Sequence, residues 1–235
     1  RPEVVAENIE AYRKSFHARG SKADKSKANA TCDGCHDTHS FKVPAKGTPQ
    51  YAEFRLGISK ACGENCHSDQ LETYAGSVHG KEALDKKNAK AAVCSDCHSA
   101  HAVSNSSGDP FKLAVTGKCG TCHEANYKTY KATYHGQINT LGYAYTAKCY
   151  NCHGSHDILK VKDPESKVSP ENRMKTCRTC HNGKKDLADA LKAGRADFTI
   201  TNASPKAVTV RTAKTLPWIS AGTCTCQAVL LADIM

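Results

Sequence analysis

The hydrophobic positions of this chain fall in short segments. None approaches the roughly 18 consecutive apolar residues of a membrane-spanning helix. Residues 3–17 predict a helix, with Pro2 near its start, where the missing N–H costs nothing. Residues 67–79 and 123–135 predict two further short helices. Polar stretches at 20–31, which carry Lys22, Lys25 and Lys27, and at 104–110, which contain Asn-Ser-Ser-Gly-Asp-Pro, predict loops. Near the C-terminus the pattern changes. Residues 184–192 predict a short helix ended by Gly194. Residues 198–201 and 208–211 alternate like two strands around a turn at 202–206 that contains Pro205. Such a hairpin could pack on a neighbour or simply form an edge of this chain. The apolar end, 228–235, is too short to span a bilayer but could dock on a membrane subunit.

Composition sharpens the picture. Only 6% of the 235 residues are aromatic, with five Phe and one Trp. A chain of this size normally buries several large apolar side chains, so something else must supply the apolar interior. The formal charge of +10 suggests either a solvated lysine surface or a polyanionic partner. Lys22–Lys27 and Lys86-Lys87 read as solvated faces. The chain opens Arg1-Pro2, without Met or signal peptide, and is expected to be an exported, processed form.

Fourteen cysteines admit disulfides, zinc or haem, and their spacing discriminates. Five runs read C-x-x-C-H: Cys32-Cys35-His36, Cys94-Cys97-His98, Cys119-Cys122-His123, Cys149-Cys152-His153 and Cys177-Cys180-His181. A sixth, Cys62-Cys66-His67, has one extra spacer residue, and Gly63 inside it permits unusual backbone angles. C-x-x-C-H is the attachment signature of c-type haem: two thiols bond the porphyrin vinyl groups, and the following His reaches the iron. Zinc does not need its ligand pairs close in sequence, and a thioredoxin-like pair needs no following His. Cys224 and Cys226 have no such His and are left as a disulfide, a free pair or thiols bonded to a partner.

Histidine arithmetic closes the argument. Six of the 12 His follow an attachment pair. The other six fall in two positional classes. His17, His79 and His135 each lie five residues after a Tyr (Tyr12, Tyr74, Tyr130) and precede a small residue. His39, His101 and His156 each lie three residues after an attached His. With only two Met, Met174 and Met235, six irons each held by two imidazoles is the economical assignment.

The pattern repeats three times: Y-x4-H, then C-x-x-C-H-x-x-H, then a second attachment pair. Leading motifs start at Cys32, Cys94 and Cys149, and trailing motifs at Cys62, Cys119 and Cys177. The expected fold is mainly α with much irregular coil, built from three tandem two-haem modules (about 12–67, 74–123 and 130–181). They form a hexahaem domain, 1–183, followed by an extension, 184–235. Within each module, His17, His79 and His135 are expected to complete the haems at Cys32, Cys94 and Cys149. His39, His101 and His156 are expected to complete those at Cys62, Cys119 and Cys177. If the attachment segment is helical, residues three apart share one side, so His39 cannot easily cross to the far face of the iron held by His36. Six haems bring about twelve propionates, leaving the holoprotein near +4 oxidised and about −2 reduced, which argues against a nucleic-acid partner.

Residues 12–181 resemble the multihaem c-type cytochromes with doubled C-x-x-C-H motifs, among them periplasmic electron carriers, decahaem conduits and filament-forming hexahaem cytochromes. The resemblance implies a compact haem chain, a periplasmic or extracellular location, and redox partners such as a quinol-oxidising membrane complex or a terminal reductase. The expected function is electron transfer in anaerobic respiration or extracellular electron transfer, through low-potential His/His haems. Two alternatives stand beside it. One is a subunit of a conducting filament, with His17 donated to a neighbouring copy. The other is a multihaem reductase with a displaceable axial ligand, although all 12 His can be used in pairs and no C-x-x-C-K variant occurs.

Overall fold

In a computed structural model, residues 2–39 and 42–181 are described, together with the backbone of two strands at 198–200 and 208–210. The described chain is mainly helical with much coil. Ten α-helices run in order: α1 Pro2–Arg13, α2 Pro49–Gly63, α3 Ser68–Gly76, α4 Val78–Gly80, α5 Cys94–His98, α6 Asp109–Gly120, α7 Glu124–Ala132, α8 Tyr134–Thr140, α9 Cys149–His153 and α10 Arg173–Arg178. A 3-10 turn covers Cys32–Gly34, and a π turn, Lys81–Asp85, extends α4. The strands β1 Phe198–Ile200 and β2 Val208–Val210, expected from the alternation, pair antiparallel with Phe198 opposite Val210. The expected helix at 184–192, the turn at 202–206, Cys224, Cys226 and 228–235 lie outside the described residues.

Several boundaries differ from expectation for local reasons. α1 stops at Arg13, four residues short of His17. The chain leaves the helix there because Phe16 N–H donates to the Val103 carbonyl at 2.6 Å and Ala18 N–H to the Ser15 hydroxyl at 3.3 Å. The helices expected at 67–79 and 123–135 break at Ser77 and Thr133, both extended (ψ 166 and 161), and restart with those residues as N-caps. The two longest helices after α1 begin at proline signals absent from the expectation. α2 starts at Thr48-Pro49, where the Thr48 hydroxyl accepts from Tyr51 N–H at 3.2 Å, and α6 starts at Asp109-Pro110.

α2 packs on α3, α6 on α7, and α7 on α8. The helix pairs approach closely at one glycine each. A Cβ on Gly63 would strike the Leu71 side chain, and one on Gly120 would strike the Tyr127 ring. Gly63 is therefore present for close packing. It ends α2 in helical conformation and takes no unusual angle, which corrects the sequence reading.

Among the described residues the apolar core is thin. Tyr74, Ala83, Ala91 and Val93 form its buried centre, with Leu56, Ile58, Leu71 and Leu84 around them. The largest fully buried side chains are Lys148, Thr116, Ser59, Ser77 and Ser169, whereas Val5, Phe16, Leu141 and Met174 are exposed. The polypeptide alone supplies little hydrophobic stabilisation for its length.

The leading attachment segments show how sequence sets local form. In α5 the Asp96 carboxylate accepts from Val93 N–H at 2.7 Å. In α9 the Asn151 side chain accepts from Lys148 N–H at 2.9 Å. Both are side-chain caps three residues into the helix. The corresponding residue of the first module is Gly34, which has no side chain to cap, and there the segment forms only a 3-10 turn. α5 and α9 then end at residues with positive φ, Ser99 (φ 65, ψ 167) and Gly154 (φ 88, ψ 169). That region suits glycine and strains serine. Ser99→Gly is expected to stabilise the fold by about 1 kcal/mol, and Gly154→Ala, whose Cβ would meet the Asp157 carboxylate, to destabilise it. Denaturant unfolding followed by circular dichroism checks both signs.

Candidate functional site

The three Y-x4-H segments fold alike. Ser15, Ser77 and Thr133 each donate their N–H to the carbonyl of the preceding Tyr12, Tyr74 or Tyr130, at 2.8, 2.9 and 2.9 Å. Their hydroxyls accept the N–H of Ala18, Gly80 or Gly136, at 3.3, 3.0 and 3.2 Å. Each turn thus pins the His just before the small residue. The small residue is required in two of them, because a Cβ on Gly80 would run into the Tyr74 carbonyl and one on Gly136 into the Tyr130 carbonyl.

The tyrosines themselves reach further. Their hydroxyls donate to the carbonyls of Ala30, Ala92 and Ala147, at 2.7, 2.8 and 3.0 Å. Each acceptor lies two residues before the first cysteine of a leading motif. The same Tyr therefore fixes a His turn and an attachment segment together. The sequence marks these tyrosines only by spacing and gives no sign of this clamp. A second clamp joins the first module to the second. The Arg55 guanidinium donates to both oxygens of Asp96, at 3.0 and 2.7 Å, and to the carbonyls of Ala89 and Ala91. This pair is half-buried, and bidentate geometry makes it stronger than an ordinary surface pair.

Ten of the 12 histidines meet in five facing pairs. Ring centroids are 6.3 Å apart for His17–His67, 5.9 Å for His36–His101, 6.2 Å for His79–His123, 6.0 Å for His98–His156 and 6.0 Å for His135–His181. Every pair joins one attached-type His to one from the other two classes. Burial pushes His17, His79, His98, His101 and His135 below the usual 6.5, and in each the facing ring pushes the same way. Those rings are therefore held neutral near pH 7, the form whose lone pair can bind a metal.

These pairs differ from the expected ones. His17, His79 and His135 face the His of the trailing motif in their own module, and do not face His36, His98 or His153. His101 and His156 face the His of the leading motif one module earlier, and do not face His123 or His181. The cause lies in the turns just described. Positive φ at Ser99 and Gly154 swings the chain out of the attachment helix, and the following coil segment crosses to the previous module. Each crossing is sealed by a backbone bond, Phe16 N–H to Val103 O at 2.6 Å and Val78 N–H to Ile158 O at 2.8 Å. The assumption of continuous helix through C-x-x-C-H-x-x-H fails, because the helix stops at the first His. His39, placed by expectation opposite His67, has no histidine ring facing it among the described residues, and neither has His153.

All 12 described cysteines are free thiols. Successive attachment pairs neighbour one another in chain order. The Cys62 thiol draws the Cys94 thiol down to about 6, and Cys149 draws Cys119 down to about 7. Burial, with Cys119 beside it, pushes Cys97 up to about 11. Burial and then Cys66 raise Cys35, while burial and then Cys177 and Cys180 raise Cys152. The variant motif keeps its register. The His67 N–H reaches the Cys62 carbonyl at 3.2 Å, where its counterparts His123 and His181 reach Cys119 and Cys177 at 2.9 and 3.0 Å. The extra residue is absorbed as one wider turn.

The donor set can be compared with what an iron needs. Two imidazoles bonded through nitrogen to opposite sides of one metal ion, at about 2.0–2.1 Å each, put their ring centres roughly 6 Å apart. The five observed separations match that figure. Among the described residues no group of three or more His, Cys, Asp or Glu converges as a metal site. A shallow cavity lined by Cys97, His98, Phe111, Ala114 and Val115, with Phe111 stacked on His98 at 5.2 Å, offers an apolar wall beside one pair. Sequence reasoning also passed over Lys148. It is fully buried just before Cys149, donates to the carbonyls of Ala144 and Thr146 at 2.6 and 2.8 Å, and is pushed down to about 8 by burial and by Lys112.

No protein-family profile matches the chain, and no curated protein or solved structure does either. No helix among the described residues is long and apolar enough to cross a membrane.

Removing one tyrosine hydroxyl should loosen a leading motif. Tyr74→Phe leaves the Ala92 carbonyl without its donor, and the expected loss is about 1 kcal/mol in denaturant unfolding, with Tyr12→Phe and Tyr130→Phe behaving alike.

Proposed function

We propose that the protein transfers electrons through six covalently attached c-type haems arranged in chain order, each held by imidazoles. The observation that carries this reading is the set of five His–His pairs at 5.9–6.3 Å, every one combining a C-x-x-C-H histidine with a second histidine. Supporting it are the six attachment sequences and a polypeptide interior too thin to account for the fold by itself.

In this reading Cys32, Cys35, Cys62, Cys66, Cys94, Cys97, Cys119, Cys122, Cys149, Cys152, Cys177 and Cys180 hold the porphyrins. His36, His67, His98, His123, His153 and His181 bind the irons from one side. His101, His17, His156, His79 and His135 close the second side of the sites at Cys32, Cys62, Cys94, Cys119 and Cys177 respectively. Bound haem supplies a reversible one-electron couple, and paired imidazoles without a sulfur ligand favour low potential. The chain's own contribution is placement. Caps at Ser15, Ser77 and Thr133 orient three imidazoles, and tyrosine clamps fix the attachment segments relative to them. Burial and the facing ring keep His17, His79, His98, His101 and His135 neutral. Close neighbours in an unbroken row suit electron transfer, and five doubly ligated sites leave little room for substrate at an iron. The chain would act outside the cytoplasm, where such attachment occurs, and exchange electrons with protein partners.

The mature holoprotein is expected to have the mass of the polypeptide plus six haems, with optical and electron paramagnetic resonance spectra dominated by low-spin iron. Fewer than six haems, or mostly high-spin iron, contradicts the reading. The pairing has its own check. His101→Ala should turn one haem high-spin in the full protein. In a chain whose Cys32 and Cys35 are replaced by Ala, the same substitution should add no high-spin haem.

A further inference from the structure

The residue just before each leading attachment pair differs among the modules: Thr31, Val93 and Lys148. Thr31 is exposed. The second and third modules fold alike at this point. Val93 and Lys148 are both extended (φ −115 and −119). Each donates its N–H to a side-chain cap, Asp96 or Asn151. The carbonyl of the residue before each accepts a tyrosine hydroxyl. Val93 is 2% exposed and Lys148 1%. The same backbone thus buries an apolar side chain in one module and a cation in the next.

Burying a cation is unfavourable unless a counter-charge goes with it. Among the described residues Lys148 forms no ion pair. Its Nζ donates to two neutral groups, the carbonyls of Ala144 and Thr146, at 2.6 and 2.8 Å. The charged groups that act on it are Lys112 and Asp109 of α6. Those two lie 3.8 Å from each other, so their charges offset one another. A neutral amide could staple the same carbonyls, and Val93 shows that the motif folds with no polar side chain there at all. What the lysine adds is net positive charge. It keeps that charge near pH 7, because burial and then Lys112 push its pKa down only to about 8.

A charge sealed from water is weakly screened and acts over several ångströms. Reduction of a ferric haem adds one electron, and a positive charge beside it favours that electron. We propose that Lys148 is a tuning residue whose buried ammonium raises the reduction potential of the haem attached at Cys149, so that electrons moving along the row dwell there more than they would beside a neutral residue. This rests on the haem reading above. The effect is one of field and burial, which set haem potential alongside the axial ligands. Val93 leaves the Cys94 site without such a charge.

The test is a reductive titration at pH 7 of the full-length holoprotein, followed by haem absorbance. Beside it stand Lys148→Gln, which keeps a donor, Lys148→Met, which keeps the length, and Lys148→Arg, which keeps the charge. Each is first weighed to count its haems. Lys148→Gln and Lys148→Met are expected to move one of six reduction steps to lower potential, with neighbouring steps moving less. Lys148→Arg is expected to titrate like the unaltered protein. In a chain whose Cys149 and Cys152 are replaced by Ala, Lys148→Gln should move no step as far. An unchanged titration or an upward shift in the neutral variants would overturn the inference. So would an equal downward shift in Lys148→Arg, which would make loop geometry responsible, or a shift of full size in the chain lacking Cys149 and Cys152. Neutral variants that both lose one haem would overturn it too, since the lysine would then serve assembly. All these outcomes leave the electron-transfer reading standing, which fails separately if the unaltered protein carries no haem.

Discussion

The meeting of two imidazoles about 6 Å apart, from segments far apart in sequence, is the constraint on which the described structure turns. A neutral imidazole offers one lone pair, and a pair of them facing across such a gap is a narrow target. Side-chain and backbone freedom must be removed on both sides before they can share one ion. The protein removes it with short, local devices. Three Ser/Thr caps hold one set of rings, the helix starts at His67 and His123 hold two of another, and a positive-φ residue after His98 and His153 aims two of the third.

These devices also explain why so little conventional core is needed. The tyrosine hydroxyls tie each cap to the next attachment segment, and the backbone bonds from Phe16 to Val103 and from Val78 to Ile158 tie one module to the next. Each is worth on the order of 1 kcal/mol, too little to hold an open chain by itself. Six flat, apolar groups bonded through twelve thioethers would provide both the missing interior and the missing cross-links. Stability and electron transfer then have the same source, since groups packed closely enough to fill the interior are also close enough to exchange electrons.

The histidines that pair in the fold were legible in the sequence because they are written in fixed spacings. C-x-x-C-H, the two classes of unattached His and the threefold repeat are all local, and the folded histidines do sort into those classes. The two strands, Phe198–Ile200 and Val208–Val210, were legible from their alternation, a period of two. The partner of each His was not. Pairing His101 with His123 and His156 with His181 assumed that modules close on themselves, whereas the decisive feature is backbone direction after His98 and His153. Gly154 hints at that turn, but Ser99 occupies the same conformation without advertising it. Helices α2 and α6 begin at Pro49 and Pro110, but their apolar positions follow the helical period only weakly, so the pattern along the chain does not mark them. The tyrosine clamps could not be read at all, since their acceptors are backbone carbonyls of alanine.

Locating the irons in the holoprotein by anomalous diffraction at the iron edge tests the pairing most directly. The account predicts one iron midway between the rings of each of the five pairs, including His17 with His67 and His36 with His101. An iron shared by His17 and His36, or none between the paired rings, would contradict it.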